Sequence, residues 1–84
     1  MFAVDQAWTE FLDSPIVLLE EYGLPLRTIN LLEDRIGIYI RDLQAVSEEE
    51  LVQRCRLMNL TQRQELRTSL LACYRDLREQ YPGF

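Results

Sequence analysis

Arg35-Ile36-Gly37-Ile38-Tyr39-Ile40-Arg41-Asp42-Leu43 is the stretch whose reading decides the fold class. Ile36, Ile38 and Ile40 alternate, which by itself is the pattern of a half-buried strand. A single strand of that length has no partner here to complete its hydrogen bonds. The stretch therefore reads as a tight turn at Gly37 that leads into a short helix over 39–45. With that reading the chain holds no sheet, and the fold class predicted is all-α.

The flanks agree. Upstream, Leu24-Pro25-Leu26-Arg27-Thr28-Ile29-Asn30-Leu31-Leu32 predicts a helix over about 25–35, with Leu26, Ile29, Leu32 and Ile36 facing inward. Tyr22-Gly23 closes the helix before it, since glycine takes the left-handed conformation of a helix stop. That earlier helix opens at Pro15 with Ser14 as its cap and runs through Ile16, Leu18 and Leu19. Val4, Ala7, Trp8, Phe11 and Leu12 recur at helical spacing opposite Asp5, Glu10 and Asp13, which predicts an amphipathic first helix over 3–13.

Downstream, Ser47-Glu48-Glu49-Glu50 reads as a capping box, its acids at the positive end of the helix dipole. Thr61-Gln62-Arg63-Gln64 repeats that logic and starts the longest helix, about 62–80. At 100° per residue, Leu66, Leu70, Cys73 and Leu77 of this helix fall within an arc of about 60°, its buried seam. Pro82-Gly83 reads as a frayed end. The expectation is a compact bundle of five or six short helices in a single domain, 1–84, with no linker or internal repeat.

Composition narrows the function. With 84 residues, 48% of them apolar and 27% charged, the chain is globular and has room for one core. The longest apolar runs, such as Ile16–Leu19, fall far short of the roughly 20 residues of a membrane span. Acids stand where a signal peptide carries positive charge, so a cytoplasmic location is expected. Histidine is absent, and Cys55 and Cys73 read as two ordinary thiols, with one long-range bridge as the alternative. Gly23, Gly37 and Gly83 stand alone, so there is no phosphate-cradling loop. No enzyme, metal, cofactor or small-molecule substrate is expected of such a chain.

The net charge of −5 argues against general adhesion to nucleic acid, but its distribution is uneven. Residues 1–34 hold seven acids against Arg27 alone, whereas residues 53–84 hold six arginines and three acids. Every basic residue is arginine, a group suited to planar and bidentate contacts. On the last helix Arg63, Arg67, Arg75 and Arg78 form a stripe with Leu71 and Tyr74 among them. The stripe admits two readings: a surface for phosphate or an acidic partner, or a solvated flank whose stems cover the core edge.

Four segments together carry a resemblance: Ser14-Pro15-Ile16-Val17-Leu18-Leu19, Leu24–Leu32, Ile40-Arg41-Asp42-Leu43 and Ser47-Glu48-Glu49-Glu50-Leu51. In order and nearly in spacing they resemble the C-terminal domain of the bacterial RNA polymerase alpha subunit. That family shows a Pro-Ile-Leu-Leu opening, a Leu-x-Val-Arg-x-x-Asn-x-Leu helix, an Ile-Gly-Asp-Leu turn and a Thr-Glu-x-Glu-Leu helix. The resemblance covers residues 14–51 best and implies a core over 14–80 built of helix-hairpin-helix units, with residues 1–13 outside it. It further implies a transcription module that binds the minor groove of AT-rich duplex DNA and touches RNA polymerase, sigma factor or a regulator protein. Arg27 stands where the family places its groove-entering arginine, and Asn30 where it places a DNA-contacting asparagine.

The chain departs from the family at the last helix, where a Gly-Lys-Lys-Ser segment is replaced by Leu57-Met58-Asn59-Leu60-Thr61-Gln62-Arg63. Thr61 as cap and Arg63 as cation are the candidates to take over its phosphate contacts. Glu33-Asp34 replaces a basic residue after the asparagine, which weakens phosphate contact. The alternative is a protein-interaction domain, on the same scaffold or on one that resembles sterile alpha motif domains, with DNA binding reduced or lost. Its partner-binding candidates are Arg67, Tyr74, Arg75 and Arg78, and its expected state is a monomer or weak self-associate.

Overall fold

In a computed structural model of the chain, the isoleucine stretch forms no strand, yet part of it is extended. Ile16 N–H donates to Ile38 O at 2.7 Å and Ile40 N–H to Ser14 O at 2.9 Å. These bonds make one isolated antiparallel bridge between Pro15 and Tyr39. Its two sides are the entry to one helix and the entry to the next, so the bridge ties two turns together and starts no sheet. Ile40 is fully buried while Ile38 is exposed, so the alternation does not mark one face. Gly37 is required by a close approach, because a Cβ there would collide with the Asp42 carboxylate. That carboxylate accepts from Tyr39 N–H at 3.0 Å and so holds the start of the following helix.

The structure describes residues 2–80, with side chains from Gln6 onward. The expected fraying at Pro82-Gly83 and the side chains of Val4 and Asp5 lie outside the described residues. The fold is all-α: α1 (Phe2–Asp13), a 3-10 helix (Ile16–Tyr22), α2 (Leu26–Arg35), α3 (Ile40–Gln44), α4 (Glu48–Arg54) and α5 (Leu60–Glu79), the longest. α1 packs on α5 and α3, and the 3-10 helix packs on α2 and α5. Phe11, Leu19, Ile29, Leu32, Ile40 and Leu66 meet in one core, so α1 is built into it. Cys55 and Cys73 are free thiols buried in the same core, and burial pushes both thiols up from their ordinary pKa.

Several local expectations are corrected. Pro15 lies before the 3-10 helix in an extended conformation and Ser14 does not cap it; the Ser14 hydroxyl donates to Glu10 O at 2.7 Å. The bridge to Tyr39 holds Pro15 out of the helix. Leu26 is exposed, and Thr28, fully buried, takes the inward position instead. Ser47 Oγ accepts from Glu50 N–H at 3.1 Å as expected, but the Glu50 carboxylate turns to Arg54 at 3.4 Å rather than back to the cap. Gly23 does take the left-handed conformation, with φ 94°. On α5 the seam is Leu66, Ser69 and Cys73, with Leu70 and Leu77 partly buried; Ser69 Oγ donates to Tyr22 O at 3.2 Å.

Candidate nucleic-acid interface

Arg27 and Asn30 lie in the first half of α2, both exposed. Neither side chain makes a hydrogen bond or an ion pair among the described residues. Between them in sequence, Thr28 is fully buried, and its Oγ1 accepts from Gln62 Nε2 at 3.2 Å. That bond fixes the start of α2 against the first turn of α5. At 100° per residue Asp34 falls between Arg27 and Asn30 on the helix surface. Its carboxylate is taken up by Arg35 at 3.3 Å.

The first turn of α5 is capped one turn-fraction earlier than the sequence motif implies. Asn59, not Thr61, is the cap: its Oδ1 accepts from Gln62 N–H at 2.8 Å, and Gln62 Oε1 accepts from Asn59 N–H at 3.0 Å. Thr61 sits inside the helix and is exposed. The Leu60 and Thr61 amides, first in the helix, have no intramolecular acceptor among the described residues, as the geometry of a helix start dictates.

Beside Leu31 on α2, a recess of about 480 Å³ is lined by Arg35, Gln53, Arg54, Arg56 and Leu57. In the sequence Arg54 and Arg56 stand out only as part of the positive charge of residues 53–84. They flank Cys55, and the burial of that residue is what turns the two arginines outward together. Arg54 is held loosely by Glu50 and Arg56 by nothing among the described residues.

Arg63 borders a groove whose lining includes neither Arg27 nor Asn30. This second concavity, of about 490 Å³, lies between α1, the α3–α4 connection and α5, and Arg67 and Tyr74 line it too. The Tyr74 ring packs edge-on to Trp8 and Phe11, with centroids 5.6 and 5.4 Å apart, so this residue is an anchor for α1. Arg67 lies 3.7 Å from Glu48, both side chains well exposed. Arg75 and Arg78 are exposed and do not line the groove, and Arg78 is engaged in a contact of its own. The arginine stripe is thus split: its first half borders the groove and its second half lies beyond it.

Among the described residues, no three side chains of Cys, Asp and Glu converge to hold a metal ion. No described helix is long and apolar enough to cross a membrane. Compared with protein-family models, curated proteins and solved structures, the chain matches none.

Proposed function

We propose that this domain is a non-catalytic transcription module that binds AT-rich duplex DNA and touches a protein of the transcription apparatus. Arg27 enters the minor groove, where the narrow, electronegative walls of AT-rich sequence favour guanidinium. Asn30 follows it at the groove edge. The Leu60 and Thr61 amides and the Thr61 hydroxyl face a phosphate at the positive end of α5. Arg35, Arg54 and Arg56 lie along the neighbouring backbone as sequence-independent cations. The observation that carries this reading is the exposed, unpaired Arg27 on a helix locked to the α5 start by Thr28 and Gln62. The chain's four-segment likeness to the polymerase alpha C-terminal domain supports it further.

Titration with an AT-rich duplex is the test. Amide shifts are expected around Arg27, Asn30 and Thr61, and affinity should fall steeply between about 50 and 200 mM salt through counterion release. Arg27→Ala should lower the salt slope by about 1 and abolish the preference for AT-rich sequence, with the fold intact. Asp34→Asn should strengthen binding, because it removes the carboxylate between the two contact residues. No shift at low salt and high duplex concentration refutes the reading.

A further inference from the structure

The groove along α5 has chemistry unlike that of the α2 surface. Its lining on α5 runs from Arg63 to Tyr74, a rise of about 16 Å, or three helical turns. Trp8 and Leu71 border it and remain 43% and 52% exposed, although the Trp8 ring is fixed by Phe11 and Tyr74. At one end stand two cations with unfilled capacity. Arg63 is half-buried, and its Nε–H is shut off from water with no acceptor among the described residues. That closed Nε–H fixes the guanidinium in place, and its terminal nitrogens, still open to the groove, meet an arriving carboxylate with a charge-assisted bond. Arg67 is held only by an exposed contact to Glu48, which a better-placed carboxylate displaces at little cost.

We propose that this groove docks an acidic amphipathic helix of a protein partner. Its apolar residues at i, i+4 and i+7 lie over Leu70, Leu71 and Tyr74, and a carboxylate at one end meets Arg63 and Arg67. The surroundings discriminate against other occupants. Glu48 on the rim, with Glu49 and Glu50 beside it in sequence, repels every phosphate of a polyphosphate backbone, whereas a helix that brings one carboxylate to Arg63 and Arg67 meets Glu48 alone. A second copy of the chain offers an acidic amphipathic helix in α1, but Ala7 and Phe11 on its apolar face are already buried in its own core. The proposal stands on the groove alone and is independent of the DNA reading.

Trp8 is the only tryptophan in the chain and borders the groove, so its fluorescence reports occupancy directly. The probe is a synthetic helical peptide of about 14 residues with leucines at i, i+4 and i+7 and flanking glutamates, against a counterpart with lysines for glutamates. The acidic peptide is expected to shift Trp8 emission saturably and to bind at least about 10-fold more tightly than the lysine peptide. Arg63→Gln combined with Arg67→Gln should erase that difference, with far-UV circular dichroism unchanged; Leu71→Ser should weaken both peptides alike. Equal affinity of the two peptides for the unaltered protein, or no saturable shift up to about 1 mM, overturns the proposal. So does an emission shift that follows protein concentration without peptide, which assigns the groove to a second copy, or the same shift produced by duplex DNA. Because Arg27→Ala leaves the groove untouched, it should not alter peptide binding, and the two readings fail separately.

Discussion

At its first turn α5 meets α2 through hydrogen bonds, whereas three turns further on it meets α1 through rings. The first junction rests on the reciprocal Asn59–Gln62 bonds and the reach of Gln62 to Thr28 at 3.2 Å. The second rests on Trp8, Phe11 and Tyr74, each pair of centroids within 5.6 Å. Net hydrogen bonds contribute about 1 kcal/mol each, while a buried aromatic side chain contributes several. The aromatic junction therefore holds the fold, and the polar one holds an orientation. That division suits the two surfaces proposed: the DNA reading requires Arg27 and Asn30 at a fixed angle to the α5 start, and the docking reading requires a stable groove floor.

The largest effect should come from the aromatic side. Phe11→Ala removes a ring that is 3% exposed and should cost about 3–5 kcal/mol in urea unfolding. Phe11 shares its core with Ile29 beneath α2, so amide-exchange protection of α1 and α2 should fall together. Loss of protection in α1 alone would show that the two junctions belong to independently opening units, and the comparison would then be between two modules rather than two parts of one.

A smaller effect should sharpen the polar side. Asn59→Ala should cost about 1 kcal/mol as the loss of a helix cap, read from urea unfolding. Thr61→Ala, at an exposed position inside the helix, should stay within about 0.5 kcal/mol. The reverse order would restore Thr61 as the cap. Asn59→Ala should also loosen Gln62, and with it the contact to Thr28, so its effect on DNA affinity should exceed that of a stability-matched core variant.

These two positions show where sequence stops being legible. Asn59 and Thr61 both have a glutamine three residues on, so both satisfy the capping motif, and only the long-range bond from Gln62 to Thr28 distinguishes them. Thr28 itself reads as polar helix surface between Arg27 and Ile29, yet it is fully buried because α5 supplies a donor from 34 residues away. By contrast Gly23, Ser47, Phe11 and the Leu66–Cys73 seam were readable, because local torsions, a cap three residues ahead, and helical periodicity are all short-range signals. Arg27 and Asn30 were singled out only by the resemblance to the polymerase domain, and both are exposed. The groove that Arg63 lines was not legible, since it depends on where α1 lands against α5, which no local pattern encodes.

The smallest effect concerns the far side of α5, where the 3-10 helix docks. Partial burial, then a hydrogen bond from its hydroxyl to Asp76, pushes the Tyr22 phenol from 10.0 up to about 12. Folding thus favours the neutral phenol: its contribution is complete below about pH 10 and is lost as pH rises toward 12. Tyr22→Phe keeps the ring and deletes the proton, and at pH 7 it should cost only about 0.5 kcal/mol. The buried thiols of Cys55 and Cys73 also titrate late and weaken the fold in alkali, but they are common to both proteins. The difference between wild type and variant, measured by urea unfolding from pH 8 to about 11.5, therefore reports Tyr22 together with its coupling to the Cys73 thiol. It should be flat up to about pH 10 and then shrink and change sign, because only the wild type must release or retain that proton. A difference that stays constant across the range would mean that the Asp76 contact is no stronger folded than unfolded, and that the polar link between the 3-10 helix and α5 rests on Ser69, which binds the Tyr22 carbonyl rather than its hydroxyl.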